Sequence, residues 1–235
     1  MLVENPSGNY RFLTLDRRPF SGGVVSTDGY DIAHARFERP IPFDAGLAAV
    51  VRHVVAAGRS VQAIAGFELR IPEPLTRADF DSFNQKYVSA LSNLGLEIRG
   101  LAPAARTNVA AIVGGVSEPS LYAVSYTLPG HRSRRAFVLS GAPETAPGDP
   151  GEMLDSIMRV LSGRLDEIGA SWDDATAIQL YGVDDLQDLL LDRVLMRVGR
   201  AAAHGIHWFP SLPPIQGLKL EIDVRSAGVE LVLPV

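Results

Sequence analysis

The segment GRSVQAIAGFELRI, residues 58–71, has a counterpart in GASWDDATAIQLYG, residues 169–182. Each begins with a glycine, has a serine two residues later and continues into a short apolar run that is typical of a β-strand. A glycine placed directly after an amphipathic segment is a common helix end. The two segments therefore predict one helix–turn–strand unit that occurs twice in the chain.

A helix with one apolar face is predicted before each of these turns. In residues 43–58 the apolar positions at helical spacing are Leu47, Val50, Val51, Val54 and Val55. In residues 151–169 they are Leu154, Ile157, Met158, Leu161, Leu165 and Ile168. A stripe of this width indicates a helix that packs on a flat layer.

The elements around the two turns follow the same order in both halves. Further helices are predicted over 76–95 and 183–203, and strands over 28–38, 105–113, 120–128, 134–142, 205–211 and 218–225. The pattern predicts an α+β fold of two β-α-β-α-β-β units, with mixed sheets and helices on one face. Pro, Gly and basic residues over 128–134 indicate a surface connection, so the predicted domains are 1–130 and 131–235.

Composition excludes several classes of function. The chain has 235 residues, a net charge of -5 and no cysteine. Without a basic face no nucleic-acid partner is expected, and without cysteine there is no disulfide, thiolate nucleophile or Cys-based metal site. The first residues lack a secretory signal and no segment is long enough to span a bilayer, so we expect a cytoplasmic protein with no membrane partner.

Several stretches resemble motifs of the YjgF/RidA family. Residues 168–186, IGASWDDATAIQLYGVDDL, resemble its helix–turn–strand, and residues 137–144, FVLSGAPE, resemble its Ser-Gly strand end. In the first half, residues 80–87, FDSFNQKY, and residues 103–109, PAARTNV, resemble a helix and a strand start of the family. Together the motifs cover most of the chain as two diverged copies.

The resemblance implies a chorismate-mutase-like fold that assembles as a trimer with ligand pockets at its interfaces. It also implies hydrolysis of amino-acid-derived enamines and imines to 2-oxo acids and ammonia, with no metal or organic cofactor. Arg106 matches the arginine that binds the substrate carboxylate in that family, and a guanidinium suits this role because it stays charged and presents parallel N–H donors. The expected substrate is a small carboxylate of the 2-aminoacrylate or 2-aminomuconate type.

Each copy keeps only part of the family's site. Glu221 matches the acidic residue of the last strand, where the first copy has Ala123. The Ser-Gly strand end is present only in the second copy, as Ser140 and Gly141, and the helix amide only in the first, as Asn84. The resemblance thus implies that the two copies contribute different groups.

Other positions depart from the family. Phe20 stands where the family has tyrosine, and Asn108 stands where many members have cysteine. At the strand start that holds arginine in the first copy, the second copy has Ile206 and His207. His207 and Trp208 are expected to line a cleft for a flat, unsaturated substrate.

We predict that Arg106 and Glu221 serve one composite pocket, either across the halves or across chains. Arg106 would anchor a carboxylate and Glu221 would direct water as a general base. The alternatives are a salt bridge at a strand end for Arg106 and a solvated strand face for Glu221. Ser140-Gly141 could be a simple turn, and Asn84 a helix-surface amide.

A metal site is not predicted. His204 and His207 are three residues apart, so along a strand they point to opposite faces, and no third ligand is evident. Self-association is predicted instead, as a homo-oligomer with a trimer favoured, because strand residues Val109, Ile112 and Tyr122 indicate an apolar sheet face that needs cover.

Two other functions remain open at this point. Chorismatases also join divergent copies of the implied fold, although their chains are longer, so chorismate hydrolysis or lyase chemistry is an alternative. A non-catalytic small-carboxylate binder is another, because both copies lack some of the residues.

Overall fold

The computed structural model of the chain describes residues 1–16, 19–131, 134–145 and 148–235. Its strands are β1 (Leu2–Asn5), β2 (Tyr10–Thr14), β3 (Ser21–Ser26), β4 (Tyr30–Pro42), β5 (Ile64–Ile71), β6 (Ala105–Ala111), β7 (Ser120–Pro129), β8 (Phe137–Leu139), β9 (Ala142–Pro143), β10 (Ala177–Tyr181), β11 (His207–Phe209), β12 (Ser211–Leu212), β13 (Glu221–Ser226) and β14 (Val229–Leu233). Its α-helices are α1 (Phe43–Ala56), α2 (Arg77–Asn93), α3 (Pro150–Ile168) and α4 (Gln187–Arg193).

The strands form two mixed sheets, so the predicted α+β class is confirmed at this level. Sheet one has the order β12-β6-β5-β7-β4-β14, and sheet two has the order β1-β2-β3-β8-β13-β10-β11, with β9 also paired to β13. The sheets exchange chain segments, because β1 to β3 complete the sheet of the second half while β12 and β14 complete that of the first. The division at 130/131 stays a prediction, and residues 132 and 133 of its connection lie outside the described residues.

Helices cover the outer face of each sheet. On sheet one, Val50 and Val54 of α1 and Leu91 of α2 join one core with the strands. On sheet two, the predicted apolar face of α3 is buried in a second core. Asp149 caps the start of α3 by accepting hydrogen bonds from two backbone amides, and Gly169 ends it at a φ of 69°, which only glycine adopts without strain.

The inner faces of the sheets meet in a layer of buried polar side chains. The amide of Gln179 on β10 donates to Glu68 Oε1 on β5 at 3.1 Å and to Asp223 Oδ1 on β13 at 2.9 Å. Arg225 Nη1 lies 3.6 Å from Glu68 Oε1. Buried charges are tolerated when they are paired and hydrogen-bonded, and the contacts of Glu68 with Gln179 and Arg225 link the inner faces of the two sheets.

Two expectations need correction, and several strands were missed. The helix predicted over 183–203 is limited to Gln187–Arg193 and is followed by short 3₁₀ turns, with Gly199 at a φ of 56°. The strands of residues 2–26 and β14 were not predicted. The supposedly bare sheet face is covered only in part within the chain: Val109 is buried and the Tyr122 ring packs on Phe209 of the opposite sheet, whereas Ile112, just beyond β6, is exposed. Self-association stays a prediction.

No α-helix among the described residues is long and apolar enough to span a membrane.

Gly169→Ala is expected to lower the free energy of unfolding by about 1–2 kcal/mol, because alanine must then adopt a left-handed conformation. Gly163→Ala, in the same helix, is the matched control: its added Cβ would meet no atom within 4 Å, and alanine in a helix interior adds about 0.5–1 kcal/mol. Urea unfolding of both variants checks the prediction, and equal midpoints for the two would contradict it.

Candidate active site

A cavity of about 210 Å³ lies where the two halves of the chain meet. It opens between α2 and β6 on one side and α3 and β13 on the other, and both Arg106 and Glu221 line it. Its remaining wall is largely apolar, with Leu15, Ile215 and Leu218 among its members. The structure therefore brings the two principal predicted residues to a single site.

The Arg106 guanidinium is held by an amide and by aromatic rings. Arg106 Nη2 donates to Asn84 Oδ1 on α2 at 2.8 Å. The guanidinium carbon lies 4.7 Å from the ring centroid of Phe20 and 4.6 Å from that of Tyr87. Rings in such positions attract a cation while keeping water away from it. Asn84 and Phe20 thus position Arg106 at the cavity, and the guanidinium can bind an anion strongly there.

The Ser140-Gly141 turn connects the halves beneath the cavity. Ser140 Oγ donates to the Ser21 carbonyl at 2.7 Å and accepts from the Arg106 backbone amide at 3.0 Å. Because a serine hydroxyl has a single proton to donate, this hydroxyl supports β3 and β6 and does not donate to a ligand. The backbone amide of Gly141 donates to the Arg106 carbonyl at 3.2 Å.

Gly141 allows the Glu221 carboxyl group to lie against the backbone. A Cβ at position 141 would overlap Glu221 Oε1. Glycine is needed at such close approaches, so the Ser-Gly pair is part of the site through packing and positioning.

Glu221 is a buried carboxyl group with an altered acidity. Burial raises the pKa of Glu221 to about 8 and the Asp223 carboxylate adds to the rise, whereas Arg106 and Arg164 lower it. Its Oε2 atom is buried and finds no hydrogen-bond partner among the described residues. At neutral pH the group therefore carries a proton that it can donate, and once deprotonated it can accept one.

Two cavity residues were missed as ligand-binding candidates in the sequence. Asn108 is buried, and neither its amide nitrogen nor its amide oxygen has a partner in the described part of the chain. Arg164 reaches the cavity from α3, and its Nη1 donates to the Ser140 carbonyl at 2.7 Å. The signal for Arg164 was present, since it follows Leu161 at helical spacing and interrupts an apolar face.

His207 and Trp208 are placed elsewhere, which corrects their expected location in the pocket. They lie on β11, which pairs with β10 on the side opposite β13. Both side chains are exposed, and the Trp208 indole donates to the Gly182 carbonyl at 3.0 Å beside a separate shallow depression. Across the described residues, no group of three His, Asp or Glu side chains is arranged to hold a metal ion.

The family model described as 2-aminomuconate deaminase CnbZ matches residues 2–160 and 151–231. The chain belongs to this family. It is 33% identical to the 2-amino-5-chloromuconate deaminase of Comamonas testosteroni over 96% of this chain and 96% of that protein. This similarity confirms the prediction that the chain is an enzyme of the deaminase class.

A structural comparison supports the fold. A chorismatase of known crystal structure superposes with a TM-score of 0.55 at 14% identity, over 91% of this chain and 78% of that one. At this identity the likeness concerns the fold alone.

The assignment to the YjgF/RidA family is wrong, because the matching family is CnbZ, which is a distinct family. The motifs behind that assignment, such as a glycine after a helix and an arginine at a strand start, are short and meet common structural needs. They did not separate one family from another.

Proposed function

We propose that this enzyme hydrolytically deaminates an amino-dienoate of the 2-aminomuconate type to a 2-oxo acid and ammonia. The observation that carries the proposal is the shared cavity of Arg106 and Glu221, a cation that can anchor a carboxylate beside a carboxyl group protonated at neutral pH. The names of the family and of the Comamonas relative support the substrate class.

The first step is protonation of the substrate on carbon. Arg106 holds the carboxylate next to the amino group. Glu221 donates its proton to a carbon of the diene, a C–H bond forms, and the nitrogen electron pair makes a C=N bond. The product is an iminium ion, and Glu221 is left as a carboxylate stabilised by the nearby guanidiniums.

The second step is attack by water. The Glu221 carboxylate removes a proton from water as the water oxygen bonds to the iminium carbon, giving a carbinolamine. Glu221 then passes this proton to nitrogen, the C–N bond breaks and ammonia leaves, and the hydroxyl proton returns to Glu221 as the C=O bond forms. The buried amide of Asn108, which lines the same cavity, can orient the water or the amino group.

Ammonia release from freshly generated 2-aminomuconate tests the proposed function. We expect the purified enzyme to form one ammonia and one 2-oxo dicarboxylate per substrate consumed, far faster than the spontaneous reaction. Heat-denatured enzyme is the control for uncatalysed hydrolysis. An unchanged rate with native enzyme would contradict the proposal.

We also infer that the two halves descend from one β-α-β-α-β-β unit. Supporting this, the order β4-β7-β5-β6 in sheet one corresponds to β8-β13-β10-β11 in sheet two. In both, the last pair is parallel and the others are antiparallel. A duplicated unit whose copies kept different polar groups accounts for one cavity supplied from both halves.

A further inference from the structure

Arg164 is a cation set into an otherwise apolar helix face. Its neighbours Leu161, Leu165 and Ile168 on α3 are buried in the core of sheet two, whereas Arg164 is half-buried at the cavity wall. Removing a guanidinium from water is costly unless an anion or several hydrogen bonds replace the water. The position therefore calls for a partner.

The described part of the chain gives the Arg164 guanidinium only a partial partner. Arg164 makes a single hydrogen bond there, to the Ser140 carbonyl, and no ion pair. Burial lowers the pKa of Arg164 to about 10, while Glu221 and Glu167 act in the opposite direction. Arg164 thus remains charged at neutral pH, and Glu221, which is protonated there, does not neutralise it.

The cavity consequently has two cationic groups and an apolar wall. Arg106 comes from β6 and Arg164 from α3, and Leu15, Ile215 and Leu218 also line the space. A volume of about 210 Å³ is below the roughly 300–1,000 Å³ of pockets for drug-sized ligands. These features fit a small ligand with a hydrocarbon middle and two negative charges.

We propose that Arg164 binds the second carboxylate of the substrate, the one remote from the amino group, and so makes the site selective for dicarboxylates. This inference rests on the proposed function, since it assigns the other end of the same substrate. Arg106 and Arg164 then hold the two ends of the diene while Glu221 acts between them. Arg164 also holds the Ser140 carbonyl, so the test must separate charge recognition from support of the turn.

Binding of two unreactive probes tests the inference. Muconate and sorbate are both six-carbon chains with a conjugated diene, and sorbate has a methyl group where muconate has its second carboxylate. By titration calorimetry we expect the wild-type enzyme to bind muconate about ten- to a hundredfold more tightly than sorbate. In Arg164→Gln, which keeps an N–H donor but loses the charge, this preference should fall below about threefold, with sorbate affinity unchanged.

The controls distinguish the two roles of the side chain. Arg159→Ala removes an exposed arginine from the same helix and should leave the preference intact. Should Arg164→Gln fail to fold, Arg164→Lys is measured instead: because lysine keeps a cation without the parallel donors, a reduced muconate preference with unchanged sorbate affinity supports the inference, and a preference equal to that of wild type overturns it. Equal binding of both probes by wild type, or equal weakening of both in Arg164→Gln, also overturns it.

Ammonia release is measured separately, so the two proposals can fail independently. An Arg164-dependent preference for muconate without ammonia release from 2-aminomuconate would reject the proposed function and keep the dicarboxylate site. Ammonia release without that preference would support the proposed function and reject the dicarboxylate site.

Discussion

Glu221→Gln is expected to lower kcat for ammonia release from 2-aminomuconate by about 10²–10⁴-fold, the usual contribution of a general acid–base group. Glutamine has nearly the same shape, so it can occupy the space against Gly141, where a Cβ would overlap Glu221 Oε1. It can neither donate a proton to carbon nor accept one from water. Because Arg106 and Arg164 remain in place, KM should stay within about threefold of wild type.

The pH profile gives a second measurement of the role of Glu221. Burial raises its pKa to about 8, and the proposed first step needs the protonated form. For wild type, kcat/KM should therefore fall above about pH 8, since this quantity reports the free enzyme. The residual activity of Glu221→Gln should lack that decline. Turnover near the wild-type rate in the variant, or an alkaline decline that survives the substitution, would contradict the mechanism.

The stability of Glu221→Gln relative to wild type should increase with pH, which substitution of a surface glutamate would not cause. The pKa of Glu221 is raised from 4.5 to about 8 in the folded protein, so the folded state binds this proton more tightly than the unfolded state. Its stabilising contribution is complete below pH 4.5 and is lost as the pH rises to 8. Glu221→Gln removes that loss. The free energy of unfolding of the variant minus that of wild type should therefore be larger at pH 8.5 than at pH 5, by on the order of 4 kcal/mol.

The sequence predicted most of the elements that build the site, because the relevant signals are local. The apolar spacing of α3 and the glycine at its end follow from the geometry of one helix, and both were found. Of the helix expected over 183–203, only Gln187–Arg193 is α-helical, because the apolar residues beyond Arg193 lie in 3₁₀ turns. Periodicity over so short a segment does not reveal where backbone angles change.

The location of the site residues depended on how the two sheets pack together, because β6 and β13 belong to different sheets. Glu221 and Arg106 share a cavity because α2 and β6 of the first half lie beside β13 of the second. His207 is close to Glu221 along the chain, yet β10 separates their strands. Arg164 was overlooked because a charged residue on a helix is usually solvated, and only the assembled sheets show that it faces a cavity.

Arg106→Ala is expected to raise KM for 2-aminomuconate by about ten- to more than a hundredfold, because a charge-assisted hydrogen bond is worth about 1.5–3 kcal/mol. The effect should reach the upper part of this range, since Phe20 and Tyr87 keep the guanidinium partly dry and electrostatic attraction strengthens as water is excluded. Muconate and sorbate should lose affinity together in this variant, in contrast to the selective loss expected for Arg164.

A second substitution of Arg106 and a control variant test its anchoring role. Arg106→Lys keeps a cation and an aliphatic stem but not the parallel donors, so its KM should lie between those of wild type and Arg106→Ala. Arg77→Ala, which removes an exposed arginine at the start of α2, should behave as wild type. A folded Arg106→Ala enzyme with unchanged KM and unchanged muconate affinity would show that the carboxylate is bound elsewhere. Arg106 would then not be the residue that anchors the substrate in the cavity, and the proposed orientation of the substrate toward Glu221 would be wrong.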